Sequence, residues 1–212
     1  VFSLSLFGLY LKNIASSNQD LLSPIVNLET PSSKLSKTNS IEINSFYITW
    51  EKIEDLSKIS LFSNLTDQKT AKVLYKENKC KTLVNGNKIS LYEKNSLFNG
   101  VFSLDNNMAK INLNEINSND ALQAGPILRF NGVTRSLTIK NDENERRMVI
   151  AITENGEVLF LAIYKKESTF LGPKLEELPD LLTNFSQKTN IKINSALNLD
   201  GGLVAVVTVS GA

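Results

Sequence analysis

Near its C-terminal end the chain reads Ser195-Ala196-Leu197-Asn198-Leu199-Asp200-Gly201-Gly202: an amide and a carboxylate two residues apart, then two glycines. On an extended chain residues i and i+2 project to the same side, so Asn198 and Asp200 would face one ligand together. Gly201 and Gly202 carry no Cβ, which frees the backbone to turn or to lie against that ligand. One amide, one acid and open N–H groups suit a small polar ligand. The same string also reads as a strand closed by an Asp-Gly hairpin turn. Local sequence leaves both readings open.

Composition narrows the chemistry. The 212 residues include no histidine, so no Ser-His-Asp triad and no imidazole acid or base can be assembled. Acid–base work falls to carboxylates, or less readily to Lys or Tyr. Cys80 is the only cysteine, so no disulfide forms within the chain. Without histidine it also cannot build the usual zinc sets or a Cys–His nucleophile pair. No metal and no cofactor is expected. A formal net charge of +1 gives no electrostatic case for a nucleic-acid partner.

Two further segments break the apolar pattern with glycine and polar residues: Asn85-Gly86 and Gln123-Ala124-Gly125-Pro126. Arg147 heads an apolar run. Brought together with Asn198 to Gly202, these tips would supply amides, one acid, one guanidinium and exposed backbone N–H groups. Sugar hydroxyls are met by amides and carboxylates, and a phosphate by a bidentate arginine and backbone N–H groups. Taken singly, Gln123 to Pro126 is a turn and Arg147 a surface strand residue.

The elements that must position these residues are mostly strands. Ile43, Phe46, Ile48 and Trp50 alternate with polar residues as one strand would, and Lys58 to Asn64 reads as a second. Lys69 to Tyr75 fits helix or strand, and Thr82 to Val84 is a short apolar run ending at Asn85-Gly86. Leu97 to Leu104 and Ala109 to Leu113 read as strands joined at Asp105-Asn106-Asn107. Ile127 to Phe130 leads into an Asn131-Gly132 hairpin signal. Arg147 to Thr153 and Val158 to Tyr164 flank Glu154-Asn155-Gly156-Glu157 as a hairpin. Leu178, Leu181, Leu182 and Phe185 fall at helical spacing within Glu176 to Gln187, with Pro179 tolerable only in the first turn. A last strand spans Ile191 to Leu199.

The hydrophobic content of 42% with 21% charge is that of a globular protein, and the length favours one large domain. The expected fold is α+β: a single domain with a mixed, largely antiparallel sheet system and few helices. Residues 41–212 form that domain. Residues 16–40 are rich in Ser, Asn, Thr and Pro and read as a linker. Residues 1–15 open with the apolar run Val1 to Leu11, too short to span a bilayer, which takes about 20 residues. That run reads as the tail of a signal peptide or an N-terminal membrane anchor, or else as a core element of the domain.

The order and content of these segments resembles the phosphodiester glycosidase domain family, which includes an animal lysosomal enzyme and bacterial members linked to exopolysaccharide. The specific part is Ala196 to Gly202, matching an Ala-Leu-Asn-Leu-Asp-Gly-Gly string. Gln123 to Pro126 with Asn131-Gly132, Arg147 heading its strand, and a leucine-bearing helix before the last string match by order. Leu83-Val84-Asn85-Gly86 resembles the first half of an Asn-Gly-Gly-Phe-Phe-like site. Two departures stand out. Asn87-Lys88-Ile89-Ser90 replaces the aromatic pair after Gly86, and Leu203-Val204-Ala205 follows Gly202 where the family carries Gly, Ser or Thr. They imply either a trimmed pocket or loop residues absent from this sequence.

The resemblance implies hydrolysis of a sugar-1-phosphodiester, on envelope or exopolysaccharide glycans, outside the cytoplasm. It makes Asp200 and Arg147 the catalytic pair, with Asp200 as the carboxylate and Arg147 on the phosphate. Asn85, Gly86, Gln123, Gly125, Pro126, Asn198, Gly201 and Gly202 would bind substrate. Glu167 and Asp120 are candidates for a second carboxylate. The partner is a carbohydrate phosphodiester. The competing reading is a non-catalytic glycan-binding or envelope-assembly domain on the same fold. A metal-dependent hydrolase is weaker, because no second acid sits at ligand spacing from Asp200.

Overall fold

A computed structural model describes residues 39–63, 71–78, 80–86, 97–106, 108–113, 121–168, 170–199 and 205–210. All lie in one compact unit, Lys37–Ala212. The expectations for residues 1–15 and for most of 16–40 fall outside these residues, as do those for Asp120, Asp200, Gly201 and Gly202.

The elements in order are β1 (Asn39–Ile43), β2 (Phe46–Ile53), β3 (Ile59–Ser63), α1 (Ala71–Glu77), β4 (Cys80–Gly86), β5 (Gly100–Asp105), β6 (Met108–Asn112), β7 (Ala121–Ala124), β8 (Ile127–Phe130), β9 (Val133–Thr134), β10 (Arg147–Thr153), β11 (Val158–Lys165), α2 (Leu178–Thr189), β12 (Ile193–Leu199) and β13 (Ala205–Ser210). Among the described residues a seven-stranded sheet runs β1-β2-β11-β10-β12-β8-β9. Two three-stranded sheets run β3-β13-β4 and β6-β5-β7. Each of these pairings is antiparallel. The fold is α+β, as expected.

The central strands β10 and β11 are almost unbroken apolar runs, MVIAI and VLFLAIY, because both faces of the sheet are covered. Alternate residues divide between two cores. Ile150, Ile152, Phe160, Leu197 and Leu199 pack against Phe102, Ile111 and Leu122 of the β6-β5-β7 sheet and against Ile59. Val149, Ala151, Leu159, Leu161 and Ala196 pack against Leu178, Leu181, Leu182 and Phe185 of α2. The helix starts with Pro179 in its first turn and ends at Asn190, whose φ of 60° stops it in the left-handed conformation.

The expected single strand through Ile43 and Trp50 is instead the β1–β2 hairpin. Asn44 and Ser45 take φ of 50° and 65°, a two-residue turn that puts Ile43 opposite Phe46. The spacing of three between those two residues is the turn itself. The segment expected as helix or strand is helix α1, and β13 is a strand the sequence pattern did not signal. Because β13 pairs with β3 and β4 while β12 pairs with β10 and β8, the two strands flanking Asp200-Gly201-Gly202 belong to different sheets and do not form a hairpin.

Candidate active site

The end of the large sheet where β12 finishes gathers several of the expected residues. Asn198 pairs with Val149, two residues along β10 from Arg147 and on the same face. Its backbone is stitched to the β7–β8 elbow: Gly125 N–H donates to Asn198 O at 3.0 Å, and Asn198 N–H donates to Pro126 O at 3.1 Å. Its side-chain Nδ2 donates to Gly125 O at 3.0 Å. Asn198 is 5% exposed, yet its Oδ1 has no hydrogen-bond partner among the described residues. A buried amide oxygen left unmatched costs free energy unless something supplies a donor, so Asn198 Oδ1 is an open acceptor at this strand end.

The elbow depends on glycine. The Gly125–Pro126 peptide is cis, and a Cβ on Gly125 would run into the backbone carbonyl of Leu97. Gln123, also buried, donates from Nε2 to Phe98 O at 2.9 Å. Asn99 accepts Ile127 N–H on Oδ1 at 2.8 Å. The 97–99 segment, the elbow and the β12 end are thus fastened together by three side-chain amides. Asn99 was not singled out by sequence reasoning; its signal was the Asn99-Gly100 dipeptide between apolar residues.

Arg147 stands at the head of β10 with its side chain 13% exposed. Its Nε donates to Pro173 O at 3.2 Å. Its Nη2 donates to Glu143 O at 2.6 Å and to Asp142 Oδ1 at 3.2 Å. Asp142 also accepts the N–H groups of Leu175 and Glu176 at 2.9 Å each. Arg147 and Asp142 together pin the 170–176 segment over the strand end. Gly172 packs so closely on the Glu145 backbone that no side chain fits. Nη1 makes a looser ion pair with the exposed Glu145 at 3.6 Å. Asp142 carries no local signal of the 170–176 contact, because Leu175 and Glu176 lie 33 and 34 residues away.

The other expected residues divide as follows. Asn85 and Gly86 end β4, where Gly86 pairs with Ala205 at the start of β13. The chain therefore passes from Leu199, beside Met148, through Asp200, Gly201 and Gly202 to Ala205, beside Gly86. Glu167 is exposed in the turn after β11. Among the described residues no group of three or more His, Cys, Asp or Glu side chains is placed to hold a metal, and no helix is long and apolar enough to cross a membrane.

The sequence profile of one family, phosphodiester glycosidase, matches residues 63–209, a span holding every expected site residue. By structure the chain is similar to the catalytic domain of zebrafish N-acetylglucosamine-1-phosphodiester alpha-N-acetylglucosaminidase, auto-inhibited by its pro-peptide in that structure. The TM-score is 0.57 at 12% identity, covering 82% of each chain. It is also similar to a hypothetical protein from Synechocystis, with a TM-score of 0.53 at 12% identity, covering 81% of this chain and 61% of that one. At such identities the likeness establishes the fold alone. No curated protein matches the chain by sequence.

Proposed function

The chain belongs to the phosphodiester glycosidase family, and we propose on that footing that it hydrolyses sugar-1-phosphodiesters, with envelope or exopolysaccharide glycans as its substrates. Water adds to the anomeric carbon, the bond from that carbon to the phosphate oxygen breaks, and free sugar and a phosphate monoester result. Phosphate is a good leaving group, so the reaction needs less general-acid help than ordinary glycosidases obtain from two carboxylates. A histidine-free site can therefore serve.

The observation that carries this reading is the family match through Asn198-Leu199-Asp200-Gly201-Gly202, at a strand end where Asn198 holds an unmatched buried oxygen. In the proposal Asn198 Oδ1 accepts a sugar hydroxyl. The carboxylate of Asp200, two residues on, acts as acid–base or stabilises positive charge at the anomeric carbon. Gln123 and Asn85 border the sugar. The backbone N–H groups near Gly86 and the guanidinium of Arg147 take the phosphate. The elbow at Gly125 and Pro126 sets their spacing. The apolar Val1 to Leu11 supports an extracytoplasmic location, with a membrane anchor as its variant.

A second reading, a non-catalytic glycan-binding or envelope-assembly domain, is favoured by the way Arg147 Nε and Nη2 are spent on the protein itself. A panel of sugar-1-phosphodiesters separates the two. Wild-type protein should release free sugar, and Asp200→Asn should lower turnover by about a thousandfold or more while keeping the fold. Full activity in that variant would remove Asp200 from its role. Glycan binding without turnover of any diester would establish the binding domain.

A further inference from the structure

The opposite end of the same sheet carries a cavity. Beyond the last turn of α2 the sheet face is uncovered, leaving a notch of about 610 Å³. That volume lies within the roughly 300–1,000 Å³ of small-molecule sites. Its lining includes Trp50, half-buried and meeting Phe185 edge-on with centroids 5.0 Å apart. Three amides stand around it, Asn39, Asn155 and Asn190, each exposed and without a side-chain partner among the described residues.

Charge decides what such a notch would take. Its lining holds two lysines, Lys52 and Lys192, and two glutamates, Glu154 and Glu157. These are matched among themselves: Lys52 Nζ lies 2.8 Å from Glu157, and Lys192 Nζ lies 3.8 Å from Glu154. Glu157 is further fixed by Thr153, whose hydroxyl donates to it at 3.2 Å. An ionic ligand would find no spare charge. What remains unspent is three amides, each both donor and acceptor, beside an indole. Hydroxyl-rich, uncharged rings with one apolar face satisfy that set.

We propose that the notch between Trp50, Asn155 and Asn190 is a second carbohydrate site that takes a neutral oligosaccharide chain, away from the Asn198 end of the sheet. It stands independently of the hydrolytic reading, since none of its residues belongs to the proposed active site. Its use would be to hold a glycan chain on the domain while a different part of the chain is presented elsewhere.

Trp50 is the only tryptophan in the chain, so intrinsic emission reports this notch directly. The experiment titrates the protein with maltohexaose and chitohexaose, following Trp50 emission, in low and high salt. The expected result is a saturable change with at least one of them, unaltered by salt because no net charge is matched. Asn155→Ala combined with Asn190→Gly should weaken it by about tenfold or more. Glycine at 190 removes the amide and keeps the left-handed backbone. Asp200→Asn should bind the oligosaccharide as wild type does, and the double variant should keep wild-type diester turnover. No emission change with either oligosaccharide, or a change untouched by the double variant, overturns the proposal. A response abolished by salt overturns the neutral class.

Discussion

The two ends of the large sheet treat polar groups in opposite ways. At the Arg147 end they are buried and bonded mostly to backbone far away in sequence: Arg147 to Pro173, Asp142 to Leu175 and Glu176, Asn198 to Gly125. At the Trp50 end charged groups pair with one another at the surface: Lys52 with Glu157 and Glu54, Lys192 with Glu154. The first arrangement fixes loops, and removing one member strands the others. The second leaves the backbone as it was, since water replaces whatever is lost. Shape at the Arg147 end is therefore set by the protein, and at the Trp50 end it stays open to an occupant.

The sharpest way to break this contrast is Gly125→Ala. The added methyl meets the Leu97 carbonyl, which belongs to backbone and cannot swing aside. We expect a loss on the order of 4 kcal/mol in denaturant unfolding; a loss below 1 kcal/mol would show the elbow to be adaptable. Arg147→Ala comes next. It leaves the Asp142 carboxylate, 4% exposed, without its cation, at a cost of about 3 kcal/mol. The 170–176 segment should become a site of protease cleavage in the same variant. If stability holds and only turnover falls, Arg147 serves the substrate more than the loops.

Asn198→Ala removes both the bond to Gly125 O and the unmatched Oδ1, two effects of opposite sign. Net destabilisation should stay near 1 kcal/mol, with KM raised more than kcat is lowered. A large stability loss without a KM change would place the amide among the fasteners. The smallest effect is expected from Glu157→Gln, under about 1 kcal/mol at pH 7. The hydrogen bond from Lys52 holds the Glu157 carboxyl below its ordinary range, against a smaller upward push from burial. A depressed carboxyl contributes stability above its unfolded pKa and loses it as pH falls through the folded one. The gap between wild type and Glu157→Gln should therefore narrow as pH falls below the ordinary carboxyl range of about 4. A gap that stays constant as the pH is lowered through the acid range would point to a role for Glu157 other than pairing.

What sequence made legible follows from how local each signal was. The β10–β11 hairpin was readable because Asn155-Gly156 marks the turn between two apolar runs, and α2 because its four large apolar residues keep one helical face. The β1–β2 hairpin was hidden because its turn is Asn44-Ser45, without glycine, and the flanking residues alternate like one strand. The Gln123 to Pro126 string was found, and the structure shows that string, Asn198 and Arg147 converging on one end of the sheet. Periodicity could not supply that convergence; it depended on family resemblance. Arg147 is legible in the sequence for its charge and its place at the head of a strand, not for its partners. Its partners come from positions 142, 143 and 173, and no spacing rule links those to an arginine heading a strand.

The small β3-β13-β4 sheet carries a consequence for how the chain is made. Its middle strand is the last in sequence: Val207 lies between Leu61 on one side and Val84 on the other. Until β13 has been synthesised, β3 and β4 each present an open edge to any strand that passes, and closing such long loops is slow. A chain cut off before residue 205 would keep the strands of the large sheet and leave β3 and β4 each with an unsatisfied edge, the state in which misassembly between neighbouring copies is most expected.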